Sequence, residues 1–462
     1  MRWISALLSG LLVFASLWAC SPALAAPEGT NLDFTLHRLG TGGPVVLVVG
    51  GIQGDEPGGF SAATLLVTHY RFTSGRVWVV PNLNFPSIIK RSRGVHGDLN
   101  RKFSTLPADD PEYPLVQRIQ RIITAPDVSL VLNLHDGSGF YRPDHEDAQC
   151  NPSRWGQSVI IDKARLEGAP LGDLTGMGER AVRDVNEGVL VPKHRYHLKN
   201  TRTDEGDHEM DRTLTWFAYR NGKPAFGIEA SKDFTTEYRA YYHLRAVEAF
   251  LKQAGVRFER DFDLSPRGVQ AALESDVTVG FAHNRIVLPL DDVRPSLGSF
   301  PLPRDVAGTF AASKPILALV SAKGGYDVFY GNRTLTRLRP DWRETDDALS
   351  GMTLMVDGKP VRVGFGEVVS VRERFVVQPV KGYRINAIGA TAHRTDESGI
   401  PLGKRDFMAR YSVDKAGTLY RVEVYRGQKF AGMVLVRFGS GPTLRKAGFL
   451  PAVAGRESDL GM

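Results

Sequence analysis

Apolar and polar positions follow two different patterns along the chain, which divide it near residue 255. From about residue 32 to residue 255, short apolar runs alternate with segments of helical period, which is typical of a mostly parallel sheet flanked by helices. The pattern therefore predicts an α/β domain. The predicted strands cover residues 45–49, 77–80, 128–134, 158–161 and 225–228, and the first three are apolar enough for burial on both faces. The predicted helices cover residues 59–69, 115–123, 173–186, 213–220 and 235–253.

After residue 255 the helical period largely disappears. Short segments rich in β-branched residues are separated by Gly, Pro, Asp and Asn, which predicts antiparallel β-structure. These segments cover residues 277–281, 285–288, 316–320, 353–356, 375–378, 419–425 and 433–438. The pair Asp357-Gly358 suits the positive-φ positions of a hairpin turn, and the polar stretch at 337–350 is a candidate domain boundary. We expect an α/β domain at residues 26–258, a β-sandwich-like domain at 259–345 and a C-terminal β domain at 346–462.

The first 25 residues have the features of a signal peptide. Arg2 precedes an uncharged apolar stretch at residues 4–19, and Ala23-Leu24-Ala25 has the small-x-small pattern of a cleavage site. No later segment reaches the roughly 18 apolar residues of a membrane-spanning helix. We expect a periplasmic protein with no transmembrane helix in the mature chain, and a lipid anchor at Cys20 is the less favoured alternative. After cleavage Cys150 is the only cysteine, which excludes an intrachain disulfide.

Composition and charge narrow the class of protein. Of the 462 residues, 42% are hydrophobic and 24% are charged, which excludes disordered, collagen-like and coiled-coil classes. The net charge is +7, but Lys and Arg are scattered among 51 acidic residues and form no basic run. Because no RNA- or DNA-binding motif accompanies the charge, nucleic acid is not an expected partner.

The first candidate site is the Gly-rich turn at residues 50–59, between a predicted strand and a predicted helix. Ligands of open α/β sheets bind at this edge, beyond the carboxyl ends of the strands. Gln53 and Glu56 offer acceptor oxygens where a phosphate needs donors, and no Gly-Lys-Ser/Thr motif follows. The residues of the turn therefore favour binding of a metal ion over binding of a phosphate group. A purely structural alternative stays open, in which Glu56 only stabilises the helix N-terminus.

Two further strands and one loop contain candidate catalytic and binding residues. His135 follows an apolar strand, and Glu229 follows four apolar residues, so both are expected at the same sheet edge as the Gly-rich turn. A buried carboxylate is costly unless it is paired or works as a base. The loop at residues 90–101 is rich in Arg, whose guanidinium binds carboxylates and stabilises oxyanions. Each of these Arg residues, taken alone, is more commonly a surface residue.

The order of these motifs resembles that of the zinc metallocarboxypeptidases over residues 40–255. The motifs are Gln-Gly-Asp-Glu (53–56), Asp-Leu-Asn-Arg (98–101), His-Asp-Gly (135–137) and Gly-Ile-Glu-Ala (227–230). Gln53 in place of that clan's first His, with His-Asp-Gly-Ser-Gly-Phe-Tyr at 135–141, resembles the periplasmic D,L-carboxypeptidases that trim peptidoglycan tripeptides and determine bacterial cell shape. The resemblance implies an α/β carboxypeptidase-like domain followed by two small antiparallel β domains.

The resemblance also implies one Zn²⁺ ion per chain, held by Gln53, Glu56 and His135 with water in the fourth position. Gln53 departs from the pattern of the clan, because its ligand atom is an amide oxygen rather than an imidazole nitrogen. Both ligands are neutral, so the formal charge of the site is unchanged. The expected affinity for zinc is lower, since an amide oxygen is the poorer ligand.

The implied reaction is hydrolysis of the peptide bond before the C-terminal residue. Glu229 is the implied general base, Arg93 stabilises the oxyanion, and the terminal carboxylate is held by Asn100 and Arg101. The implied substrate is a peptidoglycan tripeptide stem ending in meso-diaminopimelate, which yields a dipeptide. A polar stretch before the Glu229 strand supplies further candidates to line the substrate-binding pocket. They are His194, His197, Arg202, Asp204 and Asp207.

Two other functions stay open. One is an exported N-acyl amino acid amidohydrolase of the succinylglutamate desuccinylase and aspartoacylase type, against which the extra β domains argue. The other is a non-catalytic scaffold that binds peptidoglycan. The joint presence of five site residues argues against it, and these are Glu56, Asn100, Arg101, His135 and Glu229. The β domains are expected to brace the catalytic domain or to bind other envelope proteins.

Overall fold

The structure is a computed structural model that describes residues 28–206, 208–391, 394–440, 444–445 and 448–450. The predicted signal peptide, its cleavage site and Cys20 lie outside these residues. Within the described part of the chain, no helix is both long enough and apolar enough to cross a membrane.

A central eight-stranded mixed sheet organises the chain up to residue 260. The strands of this part are β1 (Gly29–Thr30), β2 (His37–Thr41), β3 (Val45–Val49), β4 (Tyr70–Val80), β5 (Val128–Gly137), β6 (Phe140–Tyr141), β7 (Cys150–Asn151), β8 (Ser158–Ile161), β9 (His197–Asn200), β10 (Ala225–Ser231) and β11 (Arg257–Arg260). The sheet has the order β11-β4-β3-β5-β10-β8-β9, and β2 pairs with β4. Strands β4, β3, β5 and β10 are mutually parallel, so their carboxyl ends share one edge.

Helices cover both faces of this sheet. They are α1 (Pro57–Thr68), α2 (Phe85–Lys90), α3 (Tyr113–Thr124), α4 (Leu174–Asn186), α5 (Leu214–Arg220), α6 (Thr236–Gln253) and α7 (Pro266–Glu274), and a short α8 (Val306–Thr309) follows in the β region. Helices α1, α4, α6 and α7 pack in the core that contains Val46 and Val48, whereas α3 and α5 pack in the core that contains Val45, Leu47 and Val49. Alternate residues of β3 therefore enter opposite cores, which confirms the predicted burial on both faces.

The remaining chain is β-structure. Its strands are β12 (Thr278–Phe281), β13 (Ile286–Pro289), β14 (Ser296–Pro303), β15 (Ala311–Ala312), β16 (Leu317–Ala322), β17 (Gly325–Tyr330), β18 (Arg333–Arg343), β19 (Gly351–Val356), β20 (Lys359–Gly364), β21 (Val368–Val371), β22 (Arg374–Val377), β23 (Arg384–Ala387), β24 (Leu402–Gly403), β25 (Leu419–Arg426), β26 (Lys429–Phe438) and β27 (Leu444–Arg445). They form sheets with the orders β1-β16-β17-β18-β14, β13-β12-β15, β20-β19-β22-β24 and β23-β25-β26-β21-β27. Most pairs are antiparallel, and the pairs β14/β18 and β21/β26 are parallel.

Two details of the β region were tested by the structure. The hairpin prediction is confirmed, because Asp357 and Gly358 have φ values of 49° and 84° between the paired strands β19 and β20. The proposed boundary at residues 337–350 is wrong in its first half, because residues up to Arg343 belong to strand β18. There the polar side chains lie on the open face of a sheet, a pattern that resembles a linker in sequence. The division of the chain at residues 258 and 345 stays a prediction.

Candidate active site

Gln53 and Glu56 lie in the turn between β3 and α1, at the carboxyl edge of the central sheet. The turn approaches strand β5 closely at Gly58, where a Cβ atom would lie 2.4 Å from Asp136 Oδ1. With no side chain there, the Gly58 N–H donates to Asp136 Oδ2 at 2.9 Å. Glu56 precedes the helix but forms no side-chain cap. Its carboxylate is directed to the neighbouring strand instead.

His135 is the residue on which the predicted metal ligands converge. Its Nδ1 lies 3.2 Å from Gln53 Oε1 and 3.0 Å from Glu56 Oε2. Glu56 Oε2 also accepts a hydrogen bond from the Asp136 backbone N–H at 3.1 Å. Burial acts to lower the pKa of His135, but the hydrogen bond and charge of Glu56 outweigh it and raise the pKa. One nitrogen and two oxygen atoms therefore meet in a buried cluster.

The opposite nitrogen of the His135 ring faces two amide groups. Nε2 lies 2.8 Å from Asn133 Nδ2 and 3.5 Å from Asn100 Nδ2. Asn133 Oδ1 is buried and has no hydrogen-bond partner among the described residues. Half a turn of this amide exchanges its oxygen and nitrogen, which lets Nε2–H donate to Oδ1. In that arrangement Nδ1 carries the lone pair that a metal requires.

The donor set fits a zinc ion. Atoms about 2.0–2.2 Å from a tetrahedral zinc lie about 3.3–3.6 Å from one another, a few tenths of an ångström more than the 3.0 and 3.2 Å observed around His135 Nδ1. The described residues contain no group of three or more His, Cys, Asp and Glu that is arranged to hold a metal ion. The amide oxygen of Gln53 lies 3.2 Å from His135 Nδ1 and can serve as a donor beside Glu56 and His135.

Glu229 lies directly opposite His135, because the two residues are register partners on the parallel strands β10 and β5. Its Oε2 is buried and lacks a hydrogen-bond partner in the described part of the chain. Burial raises the pKa of Glu229 to about 8, while His135 acts to lower it and Glu56 acts to raise it. A raised pKa makes the carboxylate a stronger base, and its unpartnered oxygen is suited to accept and return a proton.

Asp98 joins the Gly-rich turn to the Arg-rich loop. Its Oδ1 accepts a hydrogen bond from Gln53 Nε2 at 2.7 Å, and its Oδ2 lies 3.0 Å from Arg93 Nη2. Burial acts to raise the pKa of Asp98, but the hydrogen bonds from Gln53 and Arg93 prevail and lower it. Arg93 Nη1 lies 3.4 Å from Glu56 Oε1. The guanidinium is thereby held next to Glu56.

Asn100 and Arg101 lie on the short 3₁₀ helix Leu99–Arg101, on the other side of His135. Asn100 Oδ1 accepts the backbone N–H of Leu214 at 3.0 Å, so its Nδ2 is the group that faces the site. Arg101 Nε donates to Glu209 Oε2 at 2.9 Å. Because the side chain of Glu209 is 66% exposed, a substrate carboxylate can replace it on Arg101.

All seven predicted site residues line one cavity of about 270 Å³. They are Gln53, Glu56, Arg93, Asn100, Arg101, His135 and Glu229. The wall includes further residues that the sequence analysis did not identify, among them Ser138, Trp155, Ile160, Met210, Thr213, Thr215 and Lys232. Lys232 Nζ lies 2.8 Å from Asp55 Oδ2 and 3.4 Å from Glu56 Oε1, so it adds positive charge beside these two carboxylates.

Two of the missed residues had a signal in the sequence. Asn133 precedes His135 by two positions on one strand, and residues i and i+2 of a strand share a face. Asp98 belongs to the same short motif as Asn100. The four described candidates of the polar stretch, His194, His197, Arg202 and Asp204, are not among the residues that line the cavity. Asp207 lies outside the described residues.

Two family models match the chain. The family model described as "Carboxypeptidase controlling helical cell shape catalytic" matches residues 3–274, and the model described as "C-terminal domain of metallo-carboxypeptidase" matches residues 345–439. A comparison with curated proteins found no match.

Solved structures of the cell shape determinant protein Csd4 from Helicobacter pylori are similar over nearly the whole chain. The product-bound form is 39% identical with a TM-score of 0.82, covering 88% of this chain and 100% of that chain. The tripeptide-bound form is 38% identical with a TM-score of 0.82 and the same coverage. The mDAP-bound form, described as a D,L-carboxypeptidase, is 39% identical with a TM-score of 0.82, covering 87% of this chain and 100% of that chain.

The first family model covers more than half of the chain, and the Csd4 structures extend the similarity through the β domains. The predicted fold is confirmed, as an α/β carboxypeptidase-like domain followed by small, mainly antiparallel β-structure. The prediction of an enzyme of the carboxypeptidase class is confirmed as well. The chain belongs to the family of carboxypeptidases that control helical cell shape.

Proposed function

We propose that this protein is a zinc-dependent D,L-carboxypeptidase that removes the C-terminal meso-diaminopimelate from peptidoglycan tripeptide stems, with an effect on cell wall and cell shape. The related Csd4 is described as a D,L-carboxypeptidase and has structures with a tripeptide, with product and with mDAP. The role of the family in helical cell shape supports a substrate in the cell wall. Peptidoglycan stems that end in diaminopimelate carry the free carboxylate that a carboxypeptidase site needs.

The zinc ion would be held by Gln53 Oε1, Glu56 Oε2 and His135 Nδ1. When bound, zinc acidifies water and polarises a carbonyl group. Two features support this assignment: the 3.0 and 3.2 Å contacts around Nδ1, and the unpartnered Asn133 Oδ1 behind the ring. Arg93 Nη1 and Lys232 Nζ each lie 3.4 Å from Glu56 Oε1, and their positive charges offset the negative charge of the proposed carboxylate ligand.

The other residues of the cavity carry out the proton transfer and the positioning. Glu229 takes a proton from the attacking water at its unpartnered Oε2 and delivers it to the leaving amine, so the carboxylate is restored after each cycle. Arg93 stabilises the negative charge that develops on the carbonyl oxygen. Asn100 Nδ2 and the Arg101 guanidinium bind the terminal carboxylate of the substrate, and Arg101 releases Glu209. The carboxylate anchor fixes which peptide bond lies next to Glu229.

We further infer that the protein works in the periplasm after removal of residues 1–25. The Arg2-led apolar stretch and the Ala23-Leu24-Ala25 motif support export. A cell-shape role also requires access to the wall. The mature chain would then comprise a catalytic domain at residues 26–258 and β domains at 259–345 and 346–462.

The convergence of Gln53, Glu56 and His135 next to Glu229 is the observation that carries this proposal. The test combines metal analysis of purified protein with mass spectrometry of a muropeptide tripeptide after incubation. The wild type should contain about one zinc per chain and release diaminopimelate. Glu56→Ala and His135→Ala should lose zinc and activity together, whereas the exposed controls Glu167→Ala and His145→Ala should keep both.

The same test separates the alternatives. Release of an acyl group from N-acyl amino acids without cleavage of the tripeptide would favour the amidohydrolase. Binding of muropeptides with neither zinc nor turnover would favour the scaffold. Full zinc occupancy in both alanine variants would contradict the proposed ligand set.

A further inference from the structure

A second, larger cavity lies between the two β domains, apart from the catalytic cavity. Its volume is about 660 Å³, within the range of small-molecule and peptide sites. Its walls come from β14 and β18 on one side and from β23, β25 and the 3₁₀ helix Ala409–Tyr411 on the other. None of its lining residues belongs to the catalytic cavity. We refer to it as the interdomain cleft.

The interdomain cleft is strongly basic. Five arginines line it against two acids, and these residues are Arg294, Arg343, Arg384, Arg410, Arg421, Asp341 and Glu423. Two of the arginines are neutralised within the cleft, because Arg343 Nη2 lies 2.6 Å from Asp341 Oδ2 and Arg421 Nη1 lies 3.2 Å from Glu423 Oε1. The other three form no ion pair with any described carboxylate. Arg384 acts electrostatically on Asp396 and Glu397, which lie outside the lining of the cleft, so the described residues balance the excess positive charge of the cleft only in part.

Two of the arginines, Arg343 and Arg384, stack on the ring of Tyr425. Tyr425 is buried, and the guanidinium carbons of Arg384 and Arg343 lie 5.1 and 5.4 Å from the centre of its ring. A guanidinium stacked on an aromatic ring keeps its N–H groups at the edge, where they can bind a carboxylate bidentately. Tyr425 in turn donates its hydroxyl to Glu423 at 2.6 Å. The stack thus directs Arg384 toward the cleft before any ligand arrives.

The bottom and the rim of the cleft are also built from unusual contacts. At the bottom, Arg421 is 5% exposed and donates to the carbonyl oxygens of Gly298 and Ser299, which lie in a bulge of strand β14. Ser299 has a φ of 46°, a conformation that is rare for a residue with a side chain. At the rim, Tyr411 is 42% exposed and has the Arg410 guanidinium 5.0 Å from its ring centre. An exposed aromatic ring beside a guanidinium group is a surface on which a ligand can pack.

We propose that the interdomain cleft is a second binding site, for a ligand with two or more carboxylate groups, and that its occupant is the acidic peptide stems of polymeric peptidoglycan. The excess positive charge, the bidentate geometry of guanidinium groups and the exposed Tyr411 ring match a glycopeptide that carries several carboxylates. The choice of this polymer rests on the proposed function. The site would hold the enzyme on the wall while the catalytic cavity processes individual stem ends, which raises the local substrate concentration.

The test measures binding of the full chain to purified peptidoglycan sacculi by cosedimentation. All proteins carry Glu229→Gln, so that binding is read without hydrolysis. The double variant Arg384→Gln/Arg410→Gln removes two unpaired cations of the cleft. Its matched control is Arg362→Gln/Arg405→Gln, which removes two exposed arginines of the same β domain outside the cleft. A parallel series uses sacculi whose carboxyl groups have been converted to neutral amides.

We expect the cleft variant to bind native sacculi about tenfold more weakly than the parent, from the loss of two charge-assisted contacts. The control variant should bind as the parent does. Amidated sacculi should bind the parent as weakly as native sacculi bind the cleft variant, and added salt should weaken only the binding to native sacculi. Circular dichroism and the midpoint of thermal unfolding check that each variant is folded.

Equal binding of the cleft variant and the parent to native sacculi would overturn the proposal. Equal loss in the control variant would overturn it as well, because the effect would then reflect net charge alone. Unchanged binding to amidated sacculi would exclude carboxylate recognition. This assay measures binding and does not depend on turnover. Its result can therefore be interpreted even if the protein does not hydrolyse tripeptides.

Discussion

Asn133 and His135 lie on the same face of strand β5, and the Asn133 amide contacts His135 Nε2 at 2.8 Å while Nδ1 faces Gln53 and Glu56. The Asn133 oxygen is left without a partner among the described residues. A histidine that binds metal through one nitrogen normally donates its other N–H to an oxygen. Asn133 is therefore placed to select the ring tautomer that binds metal.

We expect Asn133→Ala to weaken zinc binding by about 10–100-fold, the usual effect of losing such a partner. Asn133→Asp supplies an oxygen acceptor at the same place and should restore most of the affinity. Competition with a chelator measures the zinc affinity of each variant, and a structural role alone would not predict rescue by Asp. Equal affinities of the Ala variant and the wild type would show that Asn133 does not act on His135.

Glu229→Gln should leave zinc content near the wild-type value and reduce turnover by roughly 10²–10⁴, the contribution of a general base. The reason is that Glu229 faces the ligand cluster from the next strand and is not one of the converging donors. The measurement is zinc per chain together with kcat on the tripeptide. Loss of zinc in this variant would mean that Glu229 is a ligand.

Arg101 should determine whether the enzyme requires a free C-terminus. Amidation of the substrate should cost the wild type most of its kcat/KM, whereas Arg101→Ala should discriminate little between free and amidated substrates. Glu209→Gln is a useful comparison, since it frees Arg101 from its exposed partner without removing the anchor. If wild type and Arg101→Ala discriminate equally, the anchor lies elsewhere and an acylase becomes the better hypothesis.

Gln53→His should bind zinc at least as tightly as the wild type, because imidazole is the stronger ligand. Asp98, which now accepts from Gln53 Nε2 at 2.7 Å, can accept from the second ring nitrogen. Turnover should nevertheless fall, since an error of about 1 Å in ligand position can cost on the order of 10²-fold in rate. Equal zinc affinity in wild type, Gln53→His and Gln53→Ala would show that Gln53 is not a ligand.

Lys314 predicts a pH dependence of stability. Its Nζ lies 2.9 Å from Nε2 of His69, the residue that follows helix α1, and burial lowers its pKa from 10.5 to about 8. Between these values the unfolded chain binds more protons than the folded chain, so the free energy of unfolding should rise with pH. We expect a rise of about 2 kcal/mol from pH 7.5 to pH 9.5 that is absent in Lys314→Met and present in the exposed control Lys323→Met. Denaturant titrations at each pH measure it, and an equal slope in all three proteins would contradict the assignment.

The strands of the catalytic domain and the residues of its site were predictable because the relevant signals are local. A run such as Val45–Val49 is apolar at every position, which is compatible only with burial on both faces of a sheet. The predicted β3 and β8 match the observed strands residue for residue. Side chains that directly follow parallel strands lie at the same edge of the sheet. Gln53, His135 and Glu229 could therefore be assigned to one site without knowledge of the strand order.

Other features depend on contacts between distant parts of the chain, and only the tertiary structure decided them. The link from Gln53 to Asp98 and the position of Lys232 beside Glu56 depend on how loops fold across the sheet edge. The polar segment up to Arg343 proved to be a strand, because an exposed strand and a linker have the same polarity and differ only in their pairing. The interdomain cleft combines residues from Arg294 to Gln428, which lie on separate sheets. The positive charge of the cleft could not be predicted from the sequence, because the arginines are scattered along it. Only the packing of the two β domains brings these arginines together.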